Sequence, residues 1–585
     1  MSSIAKAQVL AVSTAKPRLV EMNGVKIMTA LVRDPSPVPL HFGPDGPEGN
    51  ELAVHTESVY AFPFERYEYW RRDLEIDGDA WPLCFWGENI TLTQFDEDKV
   101  RVGDLLRFSG GVVLEVTGPR IPCMKMAWRL GKPASVLNRL VQVGGLGFYL
   151  RVIEPGYIAA GETITSESPF PENITITELA RLHDRAASTE VELLERVAAT
   201  PRIANQSREM LLRTAEHMRD EGLTRQNRWT GWRPFIVAER REEVDGVVSL
   251  RLMPQDGLPV ASYRAGQFLT VRVPQADGGD ATRTWSLSDF GGVEDGYRLS
   301  VKRVEGGIGS AFICDTLREG HIVDARPPAG RFVLDRSPIR PVVLISAGIG
   351  VTPVVAMLRA HGESRFVLPV TWIHCTRNGD THLFREEVER LLARDPQFES
   401  RIHYSQPRPE DREGLDYHAS GRIDRESLKA LVDQTSHYTL VGKQIELSGR
   451  SREFYVCGPR AFEENVRAWL VDLGVPDHFI RSETFEAAAR AEGAAPSMES
   501  ARIDFVRSGL TVEWQAEGGA SLLDAAEAAG LSPDFGCRSG TCGACAAHVV
   551  EGRIEYAVPP GAEPPEGSIL LCCARPASAL LKVDL

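Results

Sequence analysis

The chain has 585 residues, a formal net charge of −15, 43% hydrophobic and 25% charged residues. At roughly 100–200 residues per domain, that length predicts three to five domains rather than one core. The acidic balance, without a Lys/Arg run, argues against nucleic acid as a partner.

The opening MSSIAKAQVLAVSTAKPRLVEM has scattered lysines and no long apolar core, so it is not expected to act as a signal peptide. A cytoplasmic setting follows as an expectation, and there cysteines favour metal or catalytic duty over disulfides. Over residues 1–170, the stretch WGENITLTQFDEDKVRVGDLLRFSGGVVLEVTGPRIPCMKM alternates strand-like runs with Gly/Asp turns and predicts a β-rich domain. Its Cys123 is flanked by Arg120 and Lys125, and a soft thiolate beside basic groups suits a high-valent metal ion. Gly87–Ile90 (GENI), Val102–Asp104 (VGD) and Pro119–Cys123 (PRIPC) resemble the MOSC domain, the molybdenum cofactor sulfurase C-terminal domain, in its stand-alone bacterial form. That resemblance implies a β-barrel-like fold holding a molybdenum cofactor, with Cys123 as molybdenum ligand. Arg120, Lys125 and Arg101 are then candidates for the pterin phosphate. The chain departs from the family at His55-Thr56-Glu57, where His-Gly-Gly is usual.

Residues 171–222 show apolar side chains at three- and four-residue spacing in three segments, which predicts a small three-helix domain. Leu179, Leu182, Val191, Leu194 and Val197 are its expected core.

From 228 to 335, the runs YRAGQFLTVRVP, RTWSLSD and VKRVEGGIGSAF resemble the flavin-binding β-barrel of the ferredoxin–NADP reductase superfamily. The resemblance assigns Arg283 to a flavin phosphate, Trp285 to packing on the flavin and Ser286 to its ring nitrogen. Gly306, Gly307 and Ser310 fall where the superfamily binds phosphate. Residues 336–484 form the expected α/β nucleotide-binding domain. Its 18-residue uncharged run, Pro341 to Leu358, is long enough for a membrane span. Two Gly and two Pro interrupt it, so a strand, a glycine turn at Gly348 and Gly350, and a helix are expected, with no membrane partner. Thr352 and Pro353 recur in the superfamily at the nicotinamide pocket, as does the FYVCGP signature. That signature places Cys457, Gly458 and Pro459 there, with Cys457 beside the reacting carbon. Phe485 closes the domain near the flavin. HYSQPRPEDREGLDYHASGRID resembles the reductase half of flavohaemoglobins, which carry FAD. The domain order instead resembles phthalate dioxygenase reductase, which carries FMN, so FAD is the expected flavin and FMN the alternative.

Residues 485–500 are rich in Ala, Gly and Ser and read as a linker that lets the last domain swing. Residues 501–585 carry five of the ten cysteines. The spacing Cys537-x4-Cys542-x2-Cys545 followed by a later cysteine is that of a plant-type [2Fe–2S] ferredoxin of β-grasp fold. Cys572 is the expected fourth ligand, with Cys573 as the alternative. A short helix is expected between Ser521 as N-cap and Gly530 as stop.

Together these resemblances imply an NAD(P)H-dependent oxidoreductase passing electrons through flavin and [2Fe–2S] to molybdenum, with a small N-hydroxylated compound as substrate. The alternative is a reductase serving a separate oxygenase, with the MOSC domain for docking or regulation.

Overall fold

The computed structural model describes residues 7–585, apart from 23–24, 52–57, 77–79, 134, 183–189, 224–225, 276–278, 292–295, 441–442, 486–495, 518–519, 537, 539, 541–542, 558–559, 561–563 and 566. His55-Thr56-Glu57, most of the expected linker, Cys537 and Cys542 therefore lie outside the described residues. The chain divides into two compact units, Met1–Arg219 with Thr439–Lys443, and Asp220–Tyr438 with Gln444–Leu585.

The first unit is built on a closed seven-stranded barrel. Strand alternation divides its side chains between two cores. In Val59–Pro63, Val59 and Ala61 join the barrel interior, which also holds Ile90, Leu114 and Phe148, while Tyr60 and Phe62 face outward. The outward pair builds an aromatic cluster with Tyr67, Trp70, Trp86 and Tyr149. Helices Ile176–Leu182, Val191–Ala198 and Asn205–Leu223 cover the barrel, and Leu179, Leu194 and Val197 are buried in its core. Leu182 and Val191 pack at its edge. The N-terminal third is thus one β-barrel with helices packed against it.

The second unit opens with a six-stranded antiparallel sheet whose edge strands, Asp280–Ser286 and Tyr297–Lys302, approach through the Leu287–Leu299 bridge. A six-stranded parallel sheet follows. The uncharged run resolves there into strand Val342–Ala347, a tight turn at Gly348–Gly350 and helix Val351–Gly362. Among the described residues, no helix is long and apolar enough to cross a membrane. The C-terminal part is a five-stranded mixed sheet carrying helix Leu522–Ala528. Ser521 caps that helix by accepting from the Asp524 amide, and the Asp524 carboxylate accepts in return.

Candidate functional site

In the first unit, the fully buried strand Val113–Pro119 delivers the loop Arg120–Pro122 and then Cys123, which precedes the short helix Met124–Arg129. Cys123 is half-buried at the edge of the aromatic cluster. Arg120 is buried beside it, its guanidinium over the rings of Tyr60 (5.4 Å) and Tyr149 (5.6 Å) and donating to the Tyr149 hydroxyl. Burial opposes that charge, but Tyr149, Cys123 and Tyr60 outweigh it and hold Arg120 more firmly protonated than usual. Lys125 donates from Nζ to the Met28 carbonyl at 2.8 Å, and burial lowers its pKa.

A second buried arginine, Arg33, couples electrostatically to this group. Burial, only partly offset by Glu88 and Cys84, pulls it down to about 10. Glu88 is fully buried and its pKa is raised by that burial, although Tyr67 and Thr91 both donate to its Oε1. Two buried guanidiniums thus gather near a carboxylate that its surroundings press toward the neutral form. Such a site is poised for an anion. Arg33, Glu88, Tyr60 and Tyr149 escaped sequence reasoning. Glu88 lies inside the GENI match, so a signal existed for it, whereas nothing local marks Arg33. Arg101 is engaged elsewhere, since its Nη1 donates to the Asn173 carbonyl at 2.6 Å. It ties the barrel to the chain ahead of the helices.

In the second unit, Arg283, Trp285 and Ser286 lie on the strand paired to Phe268–Pro274, with Ser286 opposite Phe268. Gly306 has φ +70 and Gly307 starts the next turn. The Ser310 hydroxyl accepts from the Val304 amide at 3.0 Å and donates to the Gly307 carbonyl at 3.0 Å, which locks that turn. A Cβ on Gly309 would meet Arg283 Cγ at 2.7 Å and Trp285 at 3.4 Å. The Arg-x-Trp-Ser strand and the glycine turn are therefore one surface, with an exposed cation beside freed backbone. Arg283→Ala is expected to weaken flavin retention about tenfold, the loss of one charge-assisted phosphate contact. Flavin-to-protein ratio after gel filtration measures it.

Gly350 meets the FYVCGP strand so closely that a Cβ would lie 2.4 Å from the Cys457 carbonyl. Cys457 is fully buried at the end of strand Glu453–Gly458, where burial pushes its thiol well up. Thr352 is buried and donates to the Ile349 carbonyl at 3.0 Å, and Pro353 sits in the first helical turn. Pro459 lines a cavity of about 380 Å³ that also takes in Ala347, Thr376, Ser405, Arg422 and Trp469 at the carboxyl ends of the parallel strands. This is the ligand crevice of an open α/β sheet. Phe485 is exposed, one residue past the last strand of that sheet. Gly350→Ala is expected to slow NAD(P)H-dependent flavin reduction about 10²-fold by displacing the strand end, as misplacement near 1 Å does. Stopped-flow flavin bleaching checks it.

In the ferredoxin part, Cys545 and Cys572 converge, the Cys572 amide lying 3.5 Å from Cys545 Sγ. The Gly540 amide points at Cys572 Sγ from 3.3 Å, while Cys573 turns its thiol to the Leu570 carbonyl. The two adjacent cysteines therefore have different partners, while both approach Gly540 of the cluster loop, where a Cβ would lie 2.9 Å from Cys573 Sγ. Ala544, next to Cys545, packs on Phe268 and Ala329 of the flavin sheet. Arg326 is buried between the two, donating to the Pro533 carbonyl at 2.8 Å and lying 4.3 Å over Phe535. Thr270 donates to the Phe535 carbonyl, and Arg228 pairs with Asp534. Trp232 packs against the ferredoxin core. The cluster loop is thus seated on the flavin sheet.

These sites define an NAD(P)H-dependent flavin and iron–sulfur oxidoreductase fused to a MOSC domain. Family models agree: MOSC domain at residues 38–165, oxidoreductase FAD-binding domain at 238–334, oxidoreductase NAD-binding domain at 344–468, and 2Fe-2S iron-sulfur cluster binding domain at 505–577. The chain is 35% identical over 279 residues to a flavohemoprotein of Deinococcus radiodurans, covering 47% of this chain and 65% of that one. It is 37% identical over 262 residues to a Pseudomonas aeruginosa flavohemoprotein, covering 45% and 61%. The chain therefore spans under two thirds of the length of these relatives. Among solved structures, phthalate dioxygenase reductase matches 61% of this chain and 98% of its own at 24% identity, with a TM-score of 0.37. FAD, NAD(P)H and a [2Fe–2S] cluster are the cofactors these domains carry.

Proposed function

We propose that the chain is a self-contained reductase of N-hydroxylated compounds such as hydroxylamines, amidoximes and N-oxides. NAD(P)H is its electron source and a molybdenum cofactor is held at Cys123. The observation that carries this reading is the convergence of cationic side chains on the loop that bears Cys123. Arg33 and Arg120 are both buried, Lys125 is near, and Glu88 is the carboxylate set against them. Arg33, Arg120 and Lys125 would hold a pterin phosphate, and the accessible Cys123 would be a soft ligand for the metal. The residues present therefore fit the group. When bound, it would supply two-electron removal of oxygen from nitrogen.

The remaining work belongs to side chains. Arg120, wedged between Tyr60 and Tyr149, keeps a fixed positive charge at the loop that bears Cys123. The aromatic wall of Tyr67, Trp81, Phe85 and Trp86 limits water on the side where it packs. In the second unit, Ser286 and Phe268 on the flavin strands, with Ala544 beside Cys545, bring flavin side and cluster side into van der Waals contact. That contact supports single-electron delivery to the cluster.

The test is metal analysis of the full chain, produced with molybdate or with tungstate. Stoichiometric molybdenum together with iron, and NAD(P)H-driven reduction of a hydroxylamine that tungstate abolishes, is the expected result. Iron without molybdenum, with undiminished cytochrome c reduction, would overturn it and leave a reductase that serves a separate oxygenase.

A further inference from the structure

We infer that Glu97 is the internal proton donor for the reduction at the Cys123 site, acting through a one-water cavity behind the loop that bears that cysteine. The inference rests on the reductive reading above.

Glu97 stands in the 3-10 turn Glu97–Lys99 and is 2% exposed. Its Oε1 accepts from the Gly147 amide at 3.0 Å. Its Oε2 has no hydrogen-bond partner among the described residues, the nearest cation being Arg66 Nε at 3.7 Å. Most buried polar atoms have a hydrogen-bond partner, so this unpartnered oxygen calls for an explanation.

The cavity is lined by Glu97, Arg120, Pro122, Leu140, Gly145 and Gly147, among others. It leaves about 10 Å³ for the centre of a water, close to the ~10–15 Å³ that one water needs. Gly145 and Gly147 form part of its wall. Both have φ +76, and a Cβ at Gly147 would lie 2.2 Å from the Ala61 carbonyl. One wall is Pro119–Pro122, which ends at Cys123, so a water there stands between the carboxyl and the loop. On the other side Arg66 packs over Gly145 and pairs with Asp98 at 2.9 Å. Asp98 is 57% exposed, which opens the donor to solvent.

The titratable groups facing Glu97 are Arg66 from helix Glu65–Asp73, Tyr60 from strand Val59–Pro63, Arg120 from the cavity wall and Asp98 from its own turn. Helix Ile176–Leu182 also packs on this turn. It turns Thr177 to Asp98, while its Glu178 is occupied with Thr175. Burial raises the Glu97 carboxyl to about 7, with Arg66 holding it back in part. A group poised near neutrality both gives and regains a proton readily.

The step balances as R–NH–OH plus two electrons and two protons giving R–NH2 and water. The N–O bond breaks, and both electrons come from NAD(P)H. Glu97 delivers one proton, is recharged from solvent past Asp98, and delivers the second.

Glu97→Gln keeps the acceptor for Gly147 and removes the titration, and Glu97→Asp keeps the ionisation if the glutamine variant folds poorly. In the full chain, infrared titration should show a protonated carboxyl lost near pH 7 that Glu97→Gln deletes, with or without molybdenum. Hydroxylamine reduction should fall about 10²-fold in Glu97→Gln and lose its alkaline decline, with NAD(P)H:cytochrome c reduction unchanged. Absence of that infrared band, or a wild-type rate and pH profile in Glu97→Gln, overturns the proposal alone. A molybdenum-loaded wild type that reduces no N-hydroxy compound overturns the reading it rests on, and this role with it.

Discussion

Replacing Cys123 by serine is expected to abolish N-hydroxy reduction and strip molybdenum while NAD(P)H oxidation through flavin and cluster continues at the wild-type rate. Serine is nearly the same size, and Cys123 only borders the aromatic cluster, so the barrel should stay folded. The hydroxyl is a far poorer ligand for the metal than a thiolate. Losing an outer-shell partner alone costs roughly 10–100-fold in metal affinity, so loss of the ligand should exceed about 10²-fold. Molybdenum content and hydroxylamine turnover read the effect, with cytochrome c reduction as the internal control. Retention of both in the variant would sink the assignment.

The second large effect is expected at Arg326, whose removal should uncouple the flavin from the cluster without touching hydride transfer. The side chain donates to the Pro533 carbonyl and lies over Phe535. A charged hydrogen bond and a partly desolvated cation–π contact together are worth about 2–3 kcal/mol. The ratio of docked to undocked ferredoxin should therefore fall about 30- to 150-fold in Arg326→Ala. Stopped-flow should show flavin bleaching by NAD(P)H at the wild-type rate and cluster reduction slowed. Arg228→Ala should behave differently. Its pair with Asp534 is half-exposed, so its effect should be small, under about 1 kcal/mol, and should vanish in salt.

Glu97 adds a pH signature to folding. Its carboxyl is raised from 4.5 to about 7, so between those values the folded state holds a proton that the unfolded chain releases. Its contribution to stability is thus full at low pH and is lost as pH rises through about 7. Melting of the full chain at pH 5 and pH 8 should show a smaller difference in Glu97→Gln than in wild type.

Much of the second unit was legible because its chemistry is local. Gly348 and Gly350 follow an apolar strand, Ser521 and Gly530 bracket a helix, and the cysteine spacing repeats a loop that must wrap a small core. Such signals sit within a dozen residues and need no partner elsewhere. The interruption of the uncharged 18-residue run was read from Gly and Pro alone, and the backbone breaks there.

Other features came only with the tertiary structure. Arg33 and Glu88 are 55 positions apart, and Arg326 and Pro533 are 207 apart. Neither pair leaves a periodicity to read, because polar groups that meet across a fold are constrained by geometry and not by spacing. Cys572 and Cys573 are neighbours with identical chemistry, so only the path of the backbone gives their thiols different partners. The linker composition predicted a free swing, yet the cluster loop rests on the flavin sheet through Arg326 and Trp232, contacts no compositional reading contains. By itself the sequence determined which cofactor classes the chain carries, since those depend on ligand type and local turns. Which charged groups are buried together, and hence where an anion or a proton is wanted, was decided by the folded barrel, because burial is what makes a charge costly.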